Sequence, residues 1–322
     1  MRKYSVIIPV YNRPDEVREL LQTLTTQTYR HFEVLVIEDG STHRCEAEVR
    51  QFAGPLDIKY YYKENSGQGF SRNYGFERAT GDYFVILDSD ALLPPHYFQT
   101  VEDHLNAHSL DAYGGPDREH PSFTPVQKAI SYSMTSPFST GGIRGGKKRL
   151  GGAFHPRSFN MGLSREVYRR VGGFKITRMG EDIEYSIRII RNGFRTGLIP
   201  EAYVYHKRRT SFGQFYRQLH FFGRARINIS RFFPEELKLV HLFPALFTLG
   251  CFAVPPLLLL YRPLGLLGAA LLALYTLLIF IHATLRNRSL RVGLLGVGAV
   301  YVQLFGYGIG FLTEAWRKWR RG

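Results

Sequence analysis

GDYFVILDSDALLPP, Gly81 to Pro95, decides how this chain reads. Tyr83 to Leu87 is apolar without alternation, so both faces of the strand it forms are covered, as in a parallel sheet flanked by helices. Two carboxylates, Asp88 and Asp90, follow at once. Ligands of such sheets gather outside the carboxyl ends of the strands, where an unmatched charge is costly, so something cationic should meet these acids. Oxygen ligands in this number suit Mg²⁺ or Mn²⁺ bridged to substrate phosphates. A polar turn ahead of the helix after Pro94-Pro95 uses the same residues, and spacing alone leaves both readings open.

Upstream, the same unit recurs. YSVIIPV (Tyr4 to Val10) is a β-branched run ended by Asn12 and Pro14, and Val17, Leu20, Leu21 and Leu24 then repeat at helical spacing. EVLVI (Glu33 to Ile37) leads to the turn EDGS and a helix-compatible stretch to Phe52. IKYYY (Ile58 to Tyr62) leads through a polar loop to a helix from Gln68. Alternating strands and helices predict a mostly parallel sheet with helices on both faces, with the residues after Val10, Ile37 and Leu87 in one crevice. Asn65-Ser66-Gly67-Gln68-Gly69 is a candidate phosphate cradle, although it matches neither the dinucleotide fingerprint nor a P-loop.

Downstream, the pattern dissolves between Gly114 and Arg157 into Gly, Pro and bases, including GGIRGGKKRLGG (Gly141 to Gly152), which predicts a long loop. Order returns at SFNMGLS, followed by a short helix over Arg165 to Val171, the turn GGF and a helix opening at Glu181-Asp182. Acids at a helix start are favoured by its dipole, so this pair has a structural reason to exist as well as a chemical one. Phe212, Phe215, Leu219, Phe222 and Ile229 share one helical stripe, with arginines elsewhere. That helix lies in a lipid headgroup layer or packs on the soluble core.

The charge is unevenly spread. The chain carries 42 Lys+Arg against 27 Asp+Glu, a net +15. From Leu239 onward the only acid is Glu314, against eight bases. Leu239 to Tyr261, Leu264 to Leu285 and Val292 to Leu312 contain no Lys, Arg, Asp or Glu, and each is long enough to cross a bilayer as a helix. Three crossings place the basic tail WRKWRRG outside, against the tendency of bases to stay inside; Pro255-Pro256 or the Gly-rich third run is where a re-entrant segment would fall. Two distant cysteines, Cys45 and Cys251, offer neither a disulfide framework nor a zinc site. The start, MRKYSVIIPVYN, has too short an apolar core for a signal peptide, so the soluble part is expected in the cytoplasm.

Taken in order, VIIPVYN, VIEDGS, NSGQGFSRNYG, GDYFVILDSD, FNMGLSREVYRRVGGF and GEDIEYSIRIIRNG resemble a family-2 inverting glycosyltransferase of the GT-A fold, over about the first 210 residues. The resemblance implies transfer of a sugar from a nucleotide diphosphate-sugar, with a UDP-sugar the expected donor, to a hydroxyl acceptor with inversion. It implies donor contacts from Pro9, Tyr11, Asp39, Arg72 and Asp88, a metal, Mg²⁺ or Mn²⁺, at Asp90 with Asp88, and Asp182 as catalytic base supported by Glu181. His206 completes the metal shell in some relatives; facing phosphate or solvent is its other reading. The expected division is a GT-A domain over 1–210, an amphipathic interfacial segment over 211–238 and a membrane domain over 239–322 with two to three transmembrane helices.

Departures narrow the activity. Processive polysaccharide synthases carry QxxRW after the acidic pair, whereas Gln214-Phe215-Tyr216-Arg217 is followed here by Gln218, and three spans are too few to enclose a polymer channel. Transfer to polyprenyl phosphate needs no base, so Glu181-Asp182 favours a hydroxyl acceptor, such as a lipid-linked or cell-surface glycan intermediate. A membrane nucleotide-sugar binder without catalysis is opposed by the intact acids. Nucleic acid is not an expected partner, because headgroups and diphosphate donors account for the positive charge and no recognition module is visible. The expected setting is the inner membrane, multi-pass, with the catalytic domain facing the cytoplasm.

Overall fold

In the computed structural model, which describes residues 1–120, 122–140, 154–206 and 209–321, the apolar runs become the strands they predict. The chain forms β1 (Tyr4–Val10), α1 (Pro14–Thr25), β2 (Phe32–Asp39), α2 (Glu46–Arg50), β3 (Ile58–Lys63), α3 (Gln68–Arg78), β4 (Tyr83–Leu87) and β5 (Ala91–Leu92). It continues through α4 (Tyr97–Ala107), β6 (Ala112–Gly114), β7 (Asp117–Arg118), α5 (Pro125–Thr135), α6 (Pro137–Thr140), β8 (Asn160–Ser164), α7 (Arg165–Val171), α8 (Glu181–Arg191), β9 (Thr196–Leu198) and β10 (Val204–His206). Four helices close it: α9 (Phe212–Ile229), α10 (Phe243–Leu260), α11 (Arg262–Asn287) and α12 (Leu290–Arg321).

Two compact units result: Met1–His120 with Gly151–Lys207, and Pro121–Leu150 with Arg208–Gly322. The first holds a seven-stranded sheet in the order β3-β2-β1-β4-β8-β6-β9. β8 runs antiparallel to β4 and β6, and the remaining pairs are parallel. β4 sits at its centre between β1 and β8, and β4 is buried along its whole length. One face packs against Val17, Leu20, Leu21 and Leu24 of α1 and against α4; the other packs against Phe76 of α3 and Tyr185 and Ile189 of α8. α1 starts cleanly because Pro14 occupies its first turn, where no amide is needed, and Asp15 and Glu16 face the positive end of its dipole. A small second sheet, β5-β10-β7, lies just beyond Asp90.

The segment expected as a loop from Gly114 to Arg157 is only partly one. It contains β7, α5 and α6, and the cue for α5 is local: Thr124 and Gln127 form a reciprocal capping box with Pro125 at the first position. The polar, Gly-rich surroundings hid it. The basic run Gly141 to Gly152 lies outside the described residues.

In the second unit, the stripe on α9 is covered by protein. Phe215 and Leu219 pack with Ile130 and Met134 of α5 and with Val302 and Tyr307 of α12. Close approach is possible because glycines face the neighbouring backbone: a Cβ on Gly310 would come within 2.1 Å of the His220 carbonyl oxygen. Glu314, the one acid from Leu239 onward, accepts from Arg224 and Arg231 at 3.1 Å each. α10, α11 and α12 are each long and apolar enough to cross a membrane, and α10 runs unbroken through Pro255-Pro256.

Candidate active site

Pairing of β1 with β4 ends at Ile7 opposite Ile86, while pairing with β2 continues to Val10 opposite Glu38. Pro9, which has no N–H to give a neighbour, sits where β4 has already left. The loops leaving β1, β2 and β4 meet there. Asn12 adopts φ 55°, a conformation its short polar side chain tolerates, and its Oδ1 accepts from the Thr42 and His43 amides at 2.9 Å each. This clamp ties the β1 loop to the β2 loop. Tyr11 beside it is exposed.

Asp39 ends β2 and is nearly enclosed. Its Oδ1 accepts from Lys63 Nζ at 2.6 Å and the Ser66 amide at 2.9 Å, and its Oδ2 accepts from the Gly67 amide at 2.9 Å. Burial pushes this carboxyl up, but Lys63 and the Ser66 amide outweigh it and hold Asp39 below the usual carboxylate range. The same bonds correct the reading of Asn65 to Gly69 as a phosphate cradle. The Ser66 and Gly67 amides serve Asp39, and the Gly69 amide donates to the Thr177 carbonyl at 3.3 Å. Gly67 is required for its φ of +87° and Gly69 for close packing, since a Cβ on Gly69 would lie 2.6 Å from the Ile176 carbonyl oxygen.

Arg72 joins the two acidic motifs. It projects from α3, is 1% exposed, and donates from Nη2 to Asp88 at 3.1 Å and from Nη1 to Glu181 at 3.2 Å. Its guanidinium also lies 5.4 Å from the Phe174 ring, which explains the aromatic in the GGF turn. Asp88 after β4 and Glu181 at the start of α8 thus share one cation, which reaches Glu181 across 109 positions of sequence. Arg72, expected near a nucleotide, is enclosed between these carboxylates.

α8 presents Glu181 and Asp182 in its first turn, after Met179 at φ 62° and Gly180 at φ 99°. Two consecutive left-handed residues aim the helix start at the cleft end of the sheet. Gln68 Nε2 donates to Glu181, so both Gln68 and Arg72 of α3 hold it. Burial, then the adjacent Asp182 charge, push the Glu181 carboxyl up, and Arg72 and Gln68 pull against them. Asp182 is more open. Its Oδ1 accepts from the Ile183 amide at 2.8 Å, and Arg157 lies 3.5 Å from its Oδ2.

Asp90 is buried, and Arg13 Nη1 donates to its Oδ2 at 2.8 Å. Asp88 and Asp90 therefore flank the loop after β4, one against Arg72 and one against Arg13. Two oxygen-donor carboxylates match what Mg²⁺ or Mn²⁺ takes from a protein when phosphate and water supply the remaining ligands. Among the described residues no group of three or more His, Cys, Asp or Glu side chains could hold a metal without a substrate. The His206 backbone pairs with Ala91, next to Asp90, and its side chain lies outside the described residues.

Sequence reading passed over Arg13 and Arg157. Arg13 stands inside VYNRP, directly after a quoted motif, and Arg157 precedes SFNMGLS. Both sit among other bases, and nothing local marks which arginine finds a carboxylate.

The Glycosyl transferase family 2 profile matches residues 5–172. The chain is 37% identical over 102 residues to an uncharacterized glycosyltransferase of Rickettsia conorii, a match that takes in 32% of this chain and 17% of that protein. The chain thus spans about a sixth of the length of that relative. With the uncharacterized glycosyltransferase YibD of Escherichia coli it shares 25% identity over 255 residues, 74% of this chain and 70% of the other. In fold it resembles the mannosyltransferase PcManGT of Pyrobaculum calidifontis, solved with GDP-Man and Mn²⁺, at TM-score 0.60 and 20% identity over 98% of this chain and 88% of that one. It also resembles residues 1–349 of Staphylococcus aureus TarS in complex with UDP, at TM-score 0.50 and 19% identity over 98% and 91%. With a profile match across more than half its length, a seven-stranded α/β sheet and GT-A neighbours, the chain belongs to glycosyl transferase family 2.

Proposed function

We propose that this protein transfers a sugar from a nucleotide diphosphate-sugar to a hydroxyl of a glycan or lipid-linked acceptor, with inversion at the anomeric carbon, while anchored in the inner membrane with its catalytic unit in the cytoplasm. The observation that carries this reading is the single guanidinium of Arg72 held by both Asp88 and Glu181. It supports one cleft in which donor-side and acceptor-side acids act together.

In this reading Tyr11 and Asp39, with Pro9, receive the nucleotide. Tyr11 offers an exposed ring, and Asp39 ends β2 with its carboxylate already fixed by two amides and Lys63. Asp88 and Asp90 are the residues that would hold Mg²⁺ or Mn²⁺. When bound, such an ion neutralises the charge that grows on the departing nucleoside diphosphate.

Asp182 takes the proton of the acceptor hydroxyl as that oxygen attacks the anomeric carbon from the face opposite the diphosphate, so one displacement inverts the centre. A free sugar hydroxyl is a poor nucleophile near neutral pH, and a carboxylate in reach removes that obstacle. The Ile183 amide and Arg157 orient its two oxygens. Glu181, gripped by Gln68 and Arg72, holds the start of α8 against α3.

The test is a screen of purified full-length protein against UDP-, GDP- and dTDP-sugars, reading nucleotide diphosphate release with and without Mn²⁺. Release with one nucleotide class, and its loss in Asp182→Asn when acceptor is present, supports the reading. No release with any donor, or unchanged turnover in Asp182→Asn, overturns it.

A further inference from the structure

Asp88, Asp90, Glu181 and Asp182 each face an arginine, but the three arginines are not equivalent. Arg72 is enclosed between two carboxylates and has nowhere to go. Arg157 stands off Asp182 at 3.5 Å. Arg13 makes the tightest contact, 2.8 Å to Asp90 Oδ2, with a side chain 33% exposed against 9% for Asp90.

We infer that Arg13 is a competing counter-charge for Asp90, occupying the carboxylate until a divalent cation displaces it. The inference rests on the proposal that Asp90 binds the metal. A nearly buried carboxylate without a cation would be costly, and the guanidinium supplies that charge through a charge-assisted hydrogen bond. A divalent ion on the same carboxylate would sit within a few ångströms of the guanidinium, and their repulsion sets the two in competition; Arg72 on Asp88 is buried and cannot yield, whereas Arg13 can.

The surroundings suit an exchange made by the side chain alone. Arg13 directly follows Asn12, whose left-handed backbone and bonds to Thr42 and His43 fix the chain at this point. It also directly precedes Pro14 at the first turn of α1. The backbone stays, and a one-third exposed side chain has solvent to swing into. Arg13 is thus a positioning residue that sets how strongly the site draws its cation.

The test measures Mn²⁺ binding to the detergent-solubilised full chain in the absence of donor, by the electron paramagnetic resonance signal of free Mn²⁺, together with the rise in unfolding temperature caused by Mn²⁺. Arg13→Gln and Arg13→Met, the second keeping the apolar stem, should each bind Mn²⁺ about tenfold more tightly than wild type, the ratio one charge-assisted hydrogen bond corresponds to. They should also gain more thermal stability from it. Arg13→Lys keeps the charge and should bind like wild type. Equal affinity in wild type, Arg13→Gln and Arg13→Met, with binding lost in Asp90→Asn, overturns the inference and leaves the metal at Asp90 intact. Undiminished binding in Asp90→Asn overturns the metal assignment itself.

Discussion

Replacing Arg72 by methionine removes a cation shared by Asp88 and Glu181 while keeping much of the side chain's volume. Glu181 is buried and Arg72 is 1% exposed, so breaking this pair belongs to the class that costs about 3–5 kcal/mol. The Asp88 contact adds about 0–1 kcal/mol, because that side chain is 34% exposed and solvent screens it. At about 2–4 °C per kcal/mol for a unit of this size, the unfolding midpoint should fall by roughly 6–24 °C near neutral pH.

The pH dependence makes the test sharper. Folded Glu181 holds its proton more tightly than the unfolded chain does, because burial and Asp182 push it up. The native state therefore binds more protons above the ordinary value of 4.5, and this group's contribution to stability declines as pH rises through the folded pKa. Removing Arg72 raises that pKa further and extends the decline upward. Arg72→Met should thus lie closest to wild type at about pH 5 and farthest from it at about pH 8, as read by scanning fluorimetry of both proteins in the same detergent. A deficit that stays constant over this range, or grows towards acid, would refute the buried Arg72–Glu181 pairing as the source of the stability.

Other expectations follow from single contacts. Asp182→Asn should keep nucleotide binding in calorimetry and lose transfer by about 10²–10⁴-fold, the usual worth of general base catalysis. Glu33 accepts from Ser5, Thr80 and Lys59; burial pushes it up, but the Thr80 amide and hydroxyl lead the bonds that bring it to about 2 from an ordinary 4.5. Its stabilisation, about 3 kcal/mol, is present above the ordinary value and lost as pH falls towards 2, so Glu33→Gln should flatten the acid limb of the stability profile. Gly310→Leu should force α9 from α12, since even a Cβ there meets the His220 carbonyl oxygen, and faster tryptic cleavage at Arg224 and Arg226 would report it.

Much of the fold was legible because it is written in local periods. Tyr4–Val10 and Tyr83–Leu87 are strands from composition alone, and Val17, Leu20, Leu21 and Leu24 announce a helix whose buried face they become. The three uncharged runs near the C-terminus likewise correspond to the three membrane-length helices. What misled was composition outweighing a short cap signal: Thr124-Pro125-Val126-Gln127 opens α5 inside a stretch otherwise rich in turn residues. Similarly, the glycines at 67 and 69 read as a ligand cradle, whereas they let the Ile176–Thr177 backbone pack close and free the Ser66 and Gly67 amides for Asp39.

By itself the sequence determined the layered α/β sheet, the helices able to cross a membrane, and the placement of Asp88, Asp90 and Glu181-Asp182 at element ends. Those features depend on spacing over a few residues, where period and capping chemistry act. Only the tertiary structure decided that Arg72 would bridge Asp88 and Glu181, that Arg13 would take Asp90, and that Arg157 would approach Asp182. An arginine carries the same charge wherever it stands. Which carboxylate it neutralises depends on how strands far apart in sequence pair, and on which charges that pairing buries too deeply for water to satisfy.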